Sequence, residues 1–146
     1  MNKVTLSIFV AIVLLTTSCK VEPENINFGS DACHFCKMTI VDQQHAAQFV
    51  TEKGKQFKFD AIECMLNELS EKSTNDIGVF FVSDYGNPGN MTNAKTATFL
   101  ISQEIKSPMG AFLSAFSSEE KAKETQQELG GDLYSWSSIK EKYEVK

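Results

Sequence analysis

The sequence predicts an α+β fold built from two small strand-strand-helix modules behind a leader segment. Three observations predict it. Apolar and polar residues alternate over 46–50 and 56–59 around Glu52-Lys-Gly54-Lys, and a helical stripe follows. A similar cycle returns over 97–101 and 111–116, again followed by a run of helix formers. The polar stretch Ser73 to Gly78 reads as a linker, dividing the chain into modules 31–74 and 75–146.

The chain opens on Met1-Asn2-Lys3 and an apolar run from Val4 to Leu15, ending in Thr16-Thr17-Ser18-Cys19. One early Lys, a short apolar core and small residues before the cut make 1–18 a signal peptide, too short to span a bilayer comfortably. A Cys after small residues resembles a bacterial lipobox, although Thr16 stands where an aliphatic residue is usual. Cys19 is then the lipidated N-terminus of the mature chain, held to a membrane by acyl chains rather than by a helix. The alternative is ordinary cleavage with a free Cys19. The polar residues up to Ser30, with one Pro and one Gly, read as a tether.

The next stretch, Asp31 to Ile40, concentrates soft donors: Cys33, Cys36, Met38 and one of only two histidines, His34. Thiolate and thioether sulfur suit Cu(I) better than hard ions, and imidazole suits copper and zinc. Cys-x-x-Cys alone is shared by zinc sites, redox dithiols and disulfides. The x-Met that follows ranks copper first, because a thioether is a poor zinc ligand and takes no part in thiol exchange. A lone His beside such a motif is more often a solvent-facing neighbour than a ligand.

After the hairpin, Asp60 can cap a helix whose stripe is Ile62, Met65, Leu66 and Leu69. At about 100° per residue, Cys64 falls opposite that stripe, facing the metal motif, the second half or simply solvent. Met65 lies on the stripe and is read as packing. Val79 to Val82 is a short strand of the second cycle, and Asn87-Pro-Gly-Asn90 a turn. Ser107-Pro-Met109-Gly110 is a turn between two strands, which leaves Met109 either an accessible thioether ligand or packing over the turn. Met91, in a polar run, is incidental. Ser117-Ser-Glu-Glu120 has capping-box spacing, Gly130-Gly131 ends the helix, and Leu133, Trp136, Ile139 and Tyr143 anchor a short strand and a last helical turn.

Lys and Arg total 14 against 19 Asp and Glu, and none of the 14 is Arg. Without the residue that makes bidentate phosphate and base contacts, and with a net charge of −5, nucleic acid and nucleotide ligands are excluded. No nucleophile, base and orienter set is legible, so an enzyme is not expected.

Taken together, Cys19, the Asp31-x-Cys33-x-x-Cys36-x-Met38-Thr39 motif, Phe59-Asp60-x-x-x-Cys64-Met65-Leu66, Ser107-Pro108-Met109-Gly110 and Gly130-Gly131 resemble the NosL family of nitrous oxide reductase accessory lipoproteins. The resemblance implies two homologous ββαβ modules, similar to the core of organomercurial lyase. It also implies a membrane-anchored periplasmic Cu(I) chaperone, expected at the outer membrane. Such a chaperone works with an ABC-type transporter and delivers copper for nitrous oxide reductase. Lys37 departs from the family, which commonly has Gly there, and a less permissive loop is expected. Cys36 and Met38 are expected as principal Cu(I) ligands, with Cys33 supporting and Met109 completing the site across the modules. His34 or His45 is the alternative for that last position, and the role of Cys64 is open. The other readings are a thiol-disulfide oxidoreductase, a structural zinc module and a carbon-metal lyase using Cys36, Cys64 and Asp60.

Cells making Cys19→Ala are expected to release the protein from the membrane fraction and to lose labelled palmitate. Absence of label on the unsubstituted protein contradicts the lipoprotein reading.

Overall fold

A computed structural model of the chain describes residues 21–72 and 76–145. The expected signal peptide, Cys19 and the first residues of the expected linker lie outside the described residues. The α+β expectation is borne out. Among the described residues, seven strands form two antiparallel sheets: β1 (Ala47–Thr51), β2 (Gln56–Phe59), β3 (Ile77–Ser83) and β4 (Met91–Asn93) in the order β2-β1-β3-β4, and β5 (Thr98–Ile101), β6 (Leu113–Phe116) and β7 (Asp132–Tyr134) in the order β6-β5-β7. The helices are α1 (Ile62–Glu71), α2 (Glu119–Leu129) and α3 (Trp136–Lys142).

Each sheet grows by the same steps: a hairpin, a helix, then a strand that returns antiparallel to the hairpin's first member. Thus β3 pairs with β1, Phe49 opposite Phe80, just as β7 pairs with β5, Phe99 opposite Tyr134. This is the ββαβ repeat. The division expected at residue 74 therefore needs correction, since β3 and the unpredicted β4 complete the first sheet. Val79 to Val82 could not reveal its partner, because strand pairing is non-local while an apolar run reports only burial. Met91 lies in β4, where its sulfur accepts from the Ser83 hydroxyl at 3.5 Å.

One core joins the two sheets. Phe49, Phe59, Ile62, Met65 and Leu66 from the first module pack in the same cluster as Phe99, Leu113, Trp136 and Ile139 from the second. Trp136 bridges them, its ring 5.2 Å from Phe80 and 5.9 Å from Phe99. An indole in that position buries area against both sheets at once and ties α3 to each.

The end of α2 shows where backbone freedom is required. Gly130 caps the helix at φ 69°, and at Gly131, φ 102°, a Cβ would stand 2.2 Å from the Ile101 carbonyl oxygen. Only glycine permits that approach of backbone to backbone.

Three local expectations shift. The N-cap of α1 is Ala61, without a side-chain cap, because Asp60 turns its carboxylate to the Val41 amide. The cap of α2 is Ser118 rather than Ser117, whose hydroxyl donates to Asp84 at 2.5 Å. The tether is shorter than expected: Gln56 donates to the Glu22 carbonyl, Lys58 donates to the Asn25 carbonyl, and Ile26 and Phe28 pack on the core.

Candidate metal centre

The Asp31–Ile40 loop is closed by its own backbone. Ala32 bridges Thr39, the Cys33 amide donates to the Met38 carbonyl at 2.8 Å, and the Ile40 amide to the Asp31 carbonyl at 2.9 Å. Outside contacts hold it in place: the His34 amide donates to the Lys58 carbonyl on β2, and the Lys58 ammonium pairs with Asp31 at 2.7 Å. That hydrogen bond, first among several, keeps the Asp31 carboxyl below its ordinary range.

Lys37 takes a left-handed backbone, φ 66°, the conformation that glycine adopts freely. The loop has kept its turn without the glycine, at a cost of about 1–2 kcal/mol in backbone energy. The Lys37 ammonium donates to the His34 carbonyl across the turn.

The loop sets Cys33 and Cys36 over the first turn of α1, where Cys64 meets them. The three sulfur atoms lie within 4.8 Å of one another. Cys33 and Cys64 are buried and Cys36 is half-buried, so the cluster has one open edge. Cys64 is not exposed, although it lies opposite the Ile62-Met65-Leu66-Leu69 stripe. The polar side of α1 is covered by the loops: Cys33 over Cys64, His34 against Glu68 at 3.3 Å, and Ser107 against Glu63 at 2.5 Å. A helical wheel cannot register such cover, because loops from elsewhere in the chain supply it.

The three thiols are not equivalent. The Cys64 thiol donates to the Cys33 sulfur, the backbone N–H groups of Asp60 and Cys36 and the Cys36 thiol add to it, and together they pull Cys33 well below its ordinary value against the effect of burial. Donating to that sulfur, then burial, pushes Cys64 up; burial, then the Cys33 sulfur, raises Cys36. The three thiols therefore titrate as a coupled group, with Cys33 the one drawn down. Burial also lifts the Asp60 carboxyl, with the charges of Cys33, Asp42 and Glu63 adding to it.

Both thioethers expected at the site are exposed, Met38 by 47% and Met109 by 44%, against the usual burial of methionine. The turn carrying Met109 is tied to the residue preceding Cys64, since Glu63 accepts from the Ser107 hydroxyl at 2.5 Å and the Ala111 amide at 3.4 Å.

The histidines go elsewhere. His34 faces Glu68 and stands edge-on to Phe57, ring centroids 4.6 Å apart, and burial lowers its pKa. Among the described residues, no imidazole or carboxylate joins the three thiols. His45 is buried with both ring nitrogens engaged, Nδ1 to Asp42 at 3.0 Å and Nε2 to Ser114 at 3.2 Å. Sequence reasoning missed this Asp42-His45-Ser114 set, because Ser114 lies 69 residues from His45 in the chain. It has the residue types of a hydrolase triad, yet Ser114 is wholly buried in β6, where no substrate reaches it. It joins the loop before β1 to the second sheet.

A family model described as NosL matches residues 26–144. Among solved structures, the crystal structure of the copper chaperone NosL from Shewanella denitrificans is similar, with a TM-score of 0.72 and 21% identity over 82% of this chain and 96% of that one. At that identity the likeness is one of fold. No curated protein matches.

The metal-free protein is expected to carry one thiolate at neutral pH, visible as ultraviolet thiolate absorbance that Cys33→Ser removes. Because folding lowers the Cys33 pKa, the unfolded chain binds more protons in the interval between the folded value and the ordinary 9.0. Stability from this thiol therefore grows as pH rises through that interval and is lost as pH falls through the folded value. Equal absorbance in wild type and Cys33→Ser at neutral pH contradicts the assignment.

Proposed function

Since the chain belongs to the NosL family, whose model covers residues 26–144, we propose that it is a periplasmic Cu(I) chaperone. In this reading it is anchored through Cys19 and hands copper to an ABC-type transporter for assembly of the nitrous oxide reductase copper centre. The observation that carries the reading is the group of three sulfurs within 4.8 Å of one another, drawn from two separate segments. Thiolates at that spacing, without an imidazole or carboxylate, suit a soft monovalent ion held in low coordination.

Copper enters as cargo. Cys33 offers a preset thiolate; Cys36 and Cys64 release their protons as their sulfurs bind the ion. Met38 and Met109, the exposed thioethers, supply neutral donors at the open edge. An incoming donor on the receiving protein can attack there before the buried sulfurs let go. The chemistry is ligand exchange, not turnover.

The competing readings fare worse on particular observations. Structural zinc takes four ligands in a closed tetrahedron, whereas this group offers three thiols and an open side. A thiol-disulfide oxidoreductase needs an exposed cysteine of low pKa to attack its substrate. Here the lowered thiol is the buried Cys33, and the more exposed Cys36 is raised.

Anaerobic Cu(I) titration of the mature chain against a competing chelator is expected to give one ion per chain. Cys36→Ser should lower the affinity by orders of magnitude, and unchanged affinity contradicts the reading. Measured from about pH 5.5 to 7.5 and corrected for thiol protonation, the wild type should show no further fall near 6.5, because a thioether does not titrate. A residual fall centred there assigns the remaining ligand position to a histidine.

A further inference from the structure

Glu63 is an unusual residue to bury. It is 2% exposed, in the first turn of α1 and one position before Cys64, and its Oε2 has no hydrogen-bond partner among the described residues. A buried carboxylate oxygen without a donor costs about 1–3 kcal/mol or more, so the arrangement calls for a reason. The other oxygen supplies one. Oε1 accepts from the Ser107 hydroxyl at 2.5 Å and the Ala111 amide at 3.4 Å, the two residues that bracket the Pro108-Met109-Gly110 turn. Ser107 in turn accepts from the Phe112 amide at 2.9 Å, where the backbone is left-handed at φ 58° and the strand expected from residue 111 has not yet begun.

These contacts span the two modules. Glu63 stands on the helix that carries Cys64, and Ser107 to Phe112 form the loop that carries Met109. The turn closes on itself through the Gly110 amide to the Ser107 carbonyl at 3.0 Å, and the Glu63 carboxylate supplies its anchor to α1, while Met109 and Gly110 are exposed. Charge-assisted hydrogen bonds are the strong ones, and two converging on one oxygen fix a turn better than packing of an exposed thioether. The charge is felt locally: burial first, then Glu63, pushes the Tyr143 phenol up to about 12.

We infer that Glu63 is a positioning residue for the copper site, its carboxylate clamping the Met109 turn of the second module against the Cys64 helix of the first so that the thioether meets the thiol cluster. The inference rests on the Cu(I) reading above and on Met109 as a donor. It assigns Glu63 no bond to copper: the residue acts through the turn.

The test is a mutant cycle on the mature chain, reading Cu(I) affinity by chelator competition and fold by thermal melting. Glu63→Ala and Ser107→Ala should each weaken Cu(I) binding about tenfold, as should Met109→Leu. Adding Glu63→Ala to Met109→Leu should cost nothing more, because both remove the same contact. Glu63→Gln should stay within about threefold of wild type, since its amide oxygen still accepts from Ser107 and Ala111. An additive double variant, a Glu63→Gln as weak as Glu63→Ala, or wild-type affinity in Ser107→Ala overturns the clamp. Ser107→Ala decides the matter if Glu63→Ala does not fold. Wild-type affinity in Cys36→Ser overturns the copper reading itself and this inference with it, whereas loss there beside an unaffected Ser107→Ala removes only the clamp.

Discussion

The structure of the site depends on the burial of one sulfur. Cys33 is buried, and its thiol is held below its ordinary value by the neighbouring Cys64 thiol first, with Asp60 and Cys36 adding to it, against the effect of burial. Because Asp60 leads into α1 and Cys64 lies within its first turn, satisfying Cys33 docks the loop on the N-terminal end of that helix. The helix dipole favours negative charge at that end. The left-handed Lys37, the Ala32-Thr39 bridge and the Lys58-Asp31 pair are the local means by which the loop holds that position. Once the loop is docked, the polar side of α1 is covered, and a cysteine outside the apolar stripe becomes part of the core.

The two-module plan gives this arrangement its asymmetry. Each ββαβ unit repeats the same pairing, but only the first carries thiols, and the second contributes a turn with an exposed thioether and the Trp136 bridge. A site built between units can keep a buried side that binds and an open side that exchanges. The buried side has Cys33 and Cys64, and the open side has the half-buried Cys36; in the proposed reading the exposed Met38 and Met109 serve that open side. A carrier of a reactive ion needs both, since a closed cage does not release and a fully exposed one does not retain.

Much of this was legible in the sequence, for physical reasons that differ by element. The hairpin at 46–59 and the helix from Ile62 announce themselves by period, and Gly130-Gly131 by the left-handed backbone that ends α2. The soft-donor loop is legible because its ligands are close in sequence. The sheet to which 77–83 belongs, the burial of Cys64, the shift of the cap from Ser117 to Ser118 and the Asp42-His45-Ser114 set were not, because each is decided by a partner distant in the chain. Asp60 misled for a related reason: a residue type suited to capping had a better use for its carboxylate at the Val41 amide. For His34 the sequence favours a neighbour of the motif over a ligand, and its partner in space is Glu68.

The central claim is that Cys64, from the helix, and Cys33 and Cys36, from the loop, hold one copper ion together. X-ray absorption at the copper edge of the Cu(I)-loaded mature chain tests it most directly. The account predicts an all-sulfur first shell that loses sulfur in Cys64→Ser. A nitrogen or oxygen scatterer in the wild type, or a shell that Cys64→Ser leaves unchanged, would contradict it.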